Sequence, residues 1–193
     1  MTHETFGFIG LGLIGGSLAK ALKRSNPSCR IMAYSRTSAT TDLAISEHAI
    51  DICCTSVSDP QFAACDCIFL CAPVDTNISA LRILKDIVPP DCILTDVGSV
   101  KTDIHRAAQE MGLNGRFIGG HPMTGSEKSG FAHAQAHLFE NSYYIITPSA
   151  GTVPEKIDWY KKMVTGFGAL PIVLNCEQHD YATAAISHLP HLI

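Results

Sequence analysis

Near the start of the chain, Phe6-Gly7-Phe8-Ile9 reads as a short buried strand, and it runs directly into Gly10-Leu11-Gly12-Leu13-Ile14-Gly15. From Leu13 onward, the apolar residues Leu13, Ile14, Leu18, Ala19 and Leu22 recur at helical spacing, with Lys20, Lys23 and Arg24 turned outward. A GxGxxG turn between a strand and a helix is the context in which that pattern carries meaning. Gly10 permits the tight turn, Gly12 lets a pyrophosphate approach the backbone, and Gly15 lets helix and strand pack closely. The helix N-terminus adds free N–H groups and the positive end of the helix dipole. The plain alternative is a glycine-rich turn in an unrelated α/β protein. The expectation is a dinucleotide held by Gly10, Gly12, Leu13, Ile14 and Gly15.

The second strand, Arg30 to Tyr34, bears on which dinucleotide. NAD sites usually place an acidic residue at its end to bind the ribose 2′-hydroxyl. Here Ser35-Arg36-Thr37 follows instead. A guanidinium and two hydroxyls suit a 2′-phosphate, so NADP is favoured over NAD. Stacking of Arg36 over the adenine would serve either cofactor.

Further along, helices are expected over Thr41 to His48, Asp75 to Val88, Lys101 to Met111 and Pro154 to Phe167, and from Cys176 to the last residue. Strands are expected at Cys65 to Cys71, Cys92 to Val97, Arg116 to Ile118, Tyr143 to Thr147 and Pro171 to Leu174. This alternation predicts an α/β, doubly wound, mostly parallel sheet of the Rossmann kind. In such sheets ligands lie beyond the carboxyl ends of the strands. Ala72-Pro73-Val74 and Gly98-Ser99 follow two of those ends, and His121 follows a third, inside a polar loop from Gly119 to Gly130. Ala72, Pro73, Val74 and Ser99 are therefore expected at the cofactor. His121 is the candidate base, because imidazole accepts a proton near neutral pH.

Composition excludes several classes. Fourteen Lys+Arg against 18 Asp+Glu give a net charge of −4, without the basic footprint that nucleic acid requires. The longest near-continuous apolar run, Cys67 to Val74, is far short of the ~20 residues of a membrane span. The N-terminus has no basic n-region, so no secretory leader is expected. The eight cysteines, at positions 29, 53, 54, 65, 67, 71, 92 and 176, include no CxxC pair. Most sit in apolar runs and read as small buried hydrophobes in a reducing cytoplasm. No metal site is expected: His133 and His137 could share a helix face but lack a third ligand. His3, His48, His105 and His179 read as satisfied core or surface residues.

The segment Gly119-Gly120-His121-Pro122-Met123-Thr124-Gly125-Ser126-Glu127-Lys128-Ser129-Gly130 resembles the signature of prephenate dehydrogenases. Asp96-Val97-Gly98-Ser99-Val100-Lys101, Ile186-Ser187-His188-Leu189-Pro190-His191 and the opening glycine turn match the same family in the same order. Thr124 stands where many relatives have Ala. The resemblance implies an NAD(P)-dependent oxidative decarboxylation. Prephenate gives a hydride to the nicotinamide, loses its ring carboxylate as CO2 and becomes 4-hydroxyphenylpyruvate, on the route to tyrosine. It further implies that His121 bonds the ring 4-hydroxyl and that Ser99 assists it beside the nicotinamide. Ser126 and Glu127 would line the substrate pocket, and His188 would contact or orient substrate. Residues 1–174 would form the dinucleotide-binding domain. Residues 175–193 would open a helical domain that in relatives dimerises and supplies an Arg for the substrate side-chain carboxylate. Nothing earlier in the chain replaces that Arg, so poor turnover by the chain alone is expected. Arogenate dehydrogenase is the nearest alternative, and a non-catalytic dinucleotide sensor is the alternative from another class.

Overall fold

The computed structural model describes residues 4–185. Among them, eight strands make one sheet: β1 (Thr5–Ile9), β2 (Arg30–Tyr34), β3 (Ile52–Cys53), β4 (Cys67–Leu70), β5 (Ile93–Asp96), β6 (Phe117–Pro122), β7 (Tyr143–Pro148) and β8 (Leu170–Val173). Six helices alternate with them: α1 (Leu13–Ser25), α2 (Ser38–Ser46), α3 (Val74–Leu84), α4 (Thr102–Glu110), α5 (Pro154–Gly166) and α6 (Cys176–Thr183). The spatial order is β3-β2-β1-β4-β5-β6-β7-β8. Strands β1 to β6 pair in parallel, β7 runs antiparallel to β6, and β8 pairs parallel to β7. This is the Rossmann-like doubly wound architecture. Strand order turns outward in both directions from β1 and β4, which puts the ligand crevice at their carboxyl ends.

The alternation of side chains along each strand builds two cores. Phe6 and Phe8 of β1 and Cys67 and Phe69 of β4 face one side, with Leu18 and Leu22 of α1 and Tyr160 of α5. Ile9, Ile68 and Leu70 face the other, with Leu81 and Leu84 of α3 and Ile104 of α4. The Phe8 and Phe69 rings stack at 5.0 Å. Burial on both faces explains why β4 reads as a continuous apolar run.

Several local expectations are corrected. Strand β6 does not stop at Ile118. It continues through His121 to Pro122, because β7 pairs with it antiparallel, His121 opposite Ile145. His121 is thus a strand residue rather than a loop residue. The two-residue β3 and the 3₁₀ turns at Pro60–Ala64 and Phe131–His133 have too little periodicity to be read from sequence. His133 ends one such turn, so it shares no helix with His137. Helix α2 begins at Ser38, ahead of Thr41. Cys53 is exposed, because β3 forms the sheet edge. The buried thiols Cys29, Cys54, Cys65, Cys67 and Cys92, and the partly buried Cys71, all have pKa values raised by desolvation, with Cys29 pushed up to about 11. They are protonated packing residues.

Candidate active site

The glycine turn is shaped as the spacing predicts. Gly10 has φ +98°, a left-handed conformation that disfavours side chains, and a Cβ there would sit 3.1 Å from the Cys71 carbonyl oxygen. A Cβ on Gly15 would come within 2.4 Å of the Gly10 oxygen, so only glycine lets α1 lie this close to the β1 turn. A Cβ on Gly12 would meet nothing within 4 Å. The space in front of that residue is open, as an approaching phosphate needs. Helix α1 begins there without a side-chain cap and without an acidic residue in its first turn. Its leading N–H groups are therefore available to an anion.

A cleft of about 360 Å³ opens beside this turn. Gly10, Gly12, Ser35, Arg36, Thr37, Ala72 and Pro73 line it, as expected, and so do Thr40 and Thr76, which sequence reasoning missed. Leu13, Ile14, Gly15, Val74 and Ser99 are not in the lining. Gly15 acts through packing instead. Arg36 makes no ion pair among the described residues and forms part of the rim. Buried Asn77 fixes the β4 exit: its Oδ1 accepts from Ala72 N at 3.1 Å, and its Nδ2 donates to Ala72 O at 2.8 Å. A larger hollow of about 450 Å³ lies at the amino ends of β1, β4 and β5, among Glu4, Asp66, Asp91, Glu155 and Trp159. Its four carboxylates would repel a phosphate, and it is remote from the glycine turn.

The second half of the site grows from β5 and β6. Ile9, Leu70, Asp96 and Gly119 lie in one row across four strands. The residues just beyond that row, including Gly10, Ala72, Ser99 and His121, share the carboxyl edge of the sheet. Asp96 and Lys101 are both fully buried, with Lys101 Nζ 2.5 Å from Asp96 Oδ2. The same carboxylate accepts from Gly98 N at 2.9 Å and Gly120 N at 3.4 Å. One carboxylate therefore ties the turn bearing Ser99 to the strand bearing His121. Gly119 and Gly120 make room for this: a Cβ on the first would lie 2.3 Å from Thr147 Oγ1, and on the second 2.7 Å from the Tyr144 hydroxyl.

His121 is half-buried, and its Nδ1 lies 2.8 Å from Nε2 of fully buried His179. His179 Nδ1 lies 2.7 Å from Asp180 Oδ1. Asp180 also accepts from Lys101 N at 2.8 Å and from Thr102 N at 2.8 Å and Oγ1 at 2.5 Å, which clamps α6 onto the start of α4. Desolvation by burial, the neighbouring His179 and Lys101 together lower the His121 pKa to about 4, against a smaller opposing pull from Asp180. Burial pushes the Asp180 carboxyl up, but the hydrogen bonds from Thr102, His179 and Lys101 prevail and hold it at about 2. The sequence reading of His179 as a merely satisfied residue is thus incomplete: it is satisfied by the candidate base itself.

The other expected residues are less engaged. Ser99 is exposed on the turn after β5 and shares no hydrogen bond with His121. Ser126 and Glu127 are exposed, and Ser126 Oγ accepts from Lys128 N at 3.1 Å. His188 lies outside the described residues. Among the described residues no group of three or more His, Cys, Asp or Glu could hold a metal ion, and no helix is long and apolar enough to cross a membrane.

A doubly wound sheet with a glycine turn and an uncapped helix start at its switch point defines an α/β domain of the Rossmann type. Residues 18–173 match the family model described as "Prephenate dehydrogenase, nucleotide-binding domain". The chain is 35% identical over 193 residues to prephenate dehydrogenase of Bacillus subtilis, covering 98% of this chain and 52% of that protein. It is likewise 35% identical over 188 residues to prephenate dehydrogenase of Lactococcus lactis, covering 96% and 50%. The crystal structure of Aquifex aeolicus prephenate dehydrogenase, in complex with hydroxyphenyl propionate and NAD+, superposes with TM-score 0.92 at 32% identity, covering 100% of this chain and 67% of that one. Synechocystis arogenate dehydrogenase superposes with TM-score 0.91 at 34% identity, covering 98% and 66%. The chain belongs to the prephenate dehydrogenase family, and it spans about half the length of the curated relatives it matches.

Proposed function

We propose that this chain is the dinucleotide-binding part of an NAD(P)-dependent dehydrogenase that converts prephenate to 4-hydroxyphenylpyruvate. The observation that carries the reading is a neutral imidazole, His121, at the same sheet edge as the glycine turn. The residues fit a dinucleotide: an open space before Gly12, an uncapped helix start and a guanidinium on the cleft rim. Gly10, Gly12 and the first turn of α1 would hold the pyrophosphate, and Ala72 and Pro73 would border it. When bound, the nicotinamide supplies the hydride acceptor. His121 would take the proton of the ring hydroxyl as the carbon beneath it gives up its hydride; loss of the ring carboxylate as CO2 then leaves its electron pair in the aromatic ring, and the oxygen recovers a proton as the phenol of the product. With its pKa near 4, it is unprotonated at neutral pH and ready to accept. Ser99, on the neighbouring turn, is proposed to contact the same hydroxyl, and Ser126, Glu127 and His188 are proposed at the substrate.

The preferred cofactor is NADP, bound at its 2′-phosphate by Arg36 with Ser35 and Thr37. Charge-assisted hydrogen bonds of this kind contribute about 1.5–3 kcal/mol. Arg36→Ala should therefore weaken NADP+ binding roughly tenfold or more while leaving NAD+ nearly unchanged, as read by calorimetric titration. Equal losses for both would favour adenine stacking and remove the preference.

Prephenate oxidation is tested by following reduced nicotinamide after adding prephenate and cofactor. His121→Asn should lower turnover by about 10²–10⁴-fold, the usual weight of a positioned base, with cofactor affinity retained. Unaltered turnover in that variant would overturn the reading. Arogenate belongs in the same assay, because the likeness to the Synechocystis enzyme supports it as a second substrate. A homodimer, expected for the full-length family member, and a cytoplasmic location complete the proposal, and sedimentation of the full-length protein tests the dimer.

A further inference from the structure

The side chains around His121 form a directed chain, and direction is what a base requires. An imidazole near neutral pH has one N–H and one lone pair, and whichever nitrogen donates a fixed hydrogen bond determines which is left to accept. Asp180, with its pKa near 2, is an ionised carboxylate and can only accept. It faces His179 Nδ1 at 2.7 Å, so the His179 proton belongs on Nδ1. His179 Nε2 then holds a lone pair. That lone pair faces His121 Nδ1 at 2.8 Å, so the His121 proton belongs on Nδ1 as well. His121 Nε2 has no hydrogen-bond partner among the described residues and is left unprotonated.

We propose that Asp180 and His179 are positioning residues that fix the His121 tautomer, making Nε2 the nitrogen that accepts the substrate proton. This rests on the reading of His121 as the base and names the groups that hold it ready. The chain is rigid at its far end. Asp180 is locked by Lys101 N, Thr102 N and Thr102 Oγ1. The charged and titratable groups around the pair agree with single protonation of each ring. Lys101 at the start of α4 opposes a positive charge on either histidine, and burial of His179 lowers its pKa despite the bond to Asp180. No motif spacing suggests this arrangement: His179 and Asp180 stand 58 and more residues from His121 and reach it only when α6 packs over β6 and β7.

The test reads the tautomer directly. The full chain, labelled with ¹⁵N, is examined at neutral pH without ligand by long-range proton–nitrogen correlation, with His121→Asn and His179→Phe assigning the signals. The expected result is a protonated Nδ1 and a bare Nε2 on both rings. A proton on Nε2 of His121 in the unaltered chain overturns the proposal. In His179→Phe the ring space stays filled and the Asp180 clamp on α4 is untouched, but the acceptor for His121 Nδ1–H is gone. The His121 proton should move to Nε2, and turnover at saturating substrates should fall by about 10²–10⁴-fold with cofactor affinity unchanged. Unchanged nitrogen shifts in that variant also overturn the proposal. The two readings fail separately. Prephenate turnover bears on the substrate assignment alone, because the shifts decide the tautomer without substrate.

Discussion

The two halves of the sheet reach one edge by different physics. Around β1 and α1 the site is made of backbone: a left-handed Gly10, an open Gly12, a close-packed Gly15 and an uncapped helix end. All of this lies within one strand–turn–helix unit. From β5 to α6 the site is made of buried side chains drawn from separate elements: Asp96 with Lys101, and His121 with His179 and Asp180. The first half needs absence of side chains, and the second needs its buried charges and ring N–H groups to be partnered. Substitutions should therefore fail differently in each: by crowding in the first, by stranded charge or misplaced protons in the second.

The largest expected effect strikes the second half. Lys101→Met leaves the Asp96 carboxylate fully buried without its cation. Breaking one side of a buried pair costs about 3–5 kcal/mol, whereas replacing both members is often nearly neutral. Denaturant unfolding should show that loss for Lys101→Met and recover much of it in Lys101→Met with Asp96→Asn. If the single variant is as stable as the parent, the contrast between the halves is lost.

The same contrast explains what could be read in advance. The glycine turn, the strand–helix alternation around it and the Ser35-Arg36-Thr37 rim follow from local spacing, and the structure places Gly10, Gly12, Arg36 and Ala72 on one cleft. His121 was legible as a residue but not as a strand position, because β7 extends β6 by antiparallel pairing. His179 and Asp180 were illegible, since their meaning lies in contacts across 58 or more residues. The burial of Lys101 was equally hidden. A lysine at a helix start ordinarily reads as solvated, and only the nearness of Asp96 in the same motif hinted at a partner. Asn175, by contrast, caps α6 with Gln178 three residues on, a pairing visible in sequence as a capping box.

A second effect sharpens the comparison through pH. His121 has a folded pKa of about 4, below the ordinary value of 6.5. Between those values the unfolded chain binds a proton that the folded chain does not, so stability should fall as pH drops from about 6.5 to 4. Above that window His121 is neutral in both states and contributes nothing of this kind. The shift corresponds to a loss on the order of 3 kcal/mol. His105 and His179 are lowered too, chiefly by burial, and add to the slope of both proteins; only the parent carries the His121 contribution, so it should lose more than His121→Asn does over the same window. Stability curves for the two that run parallel across it would contradict a desolvated, neutral His121. No comparable slope is expected from the glycine turn, which carries no titrating group.

The smallest expected effects separate two glycines three residues apart. Gly15→Ala puts a methyl 2.4 Å from the Gly10 oxygen and 3.0 Å from Cys71 Cβ. Backbone on one side and Cys71, just past β4, on the other leave little room to yield, so a loss of about 1–3 kcal/mol is expected, as for other overpacked sites. Gly12→Ala meets nothing within 4 Å, and its φ of −76° suits alanine. Its stability should stay within about 0.5 kcal/mol of the parent, while the added methyl occupies the space a pyrophosphate would approach. Thermal unfolding and cofactor titration on the two variants then give opposite patterns: Gly15→Ala lowers Tm, and Gly12→Ala weakens NAD(P) binding at unchanged Tm. If Gly12→Ala binds cofactor as the parent does, the open space before α1 is not where the phosphates lie, and the backbone half of the site has been assigned to the wrong surface.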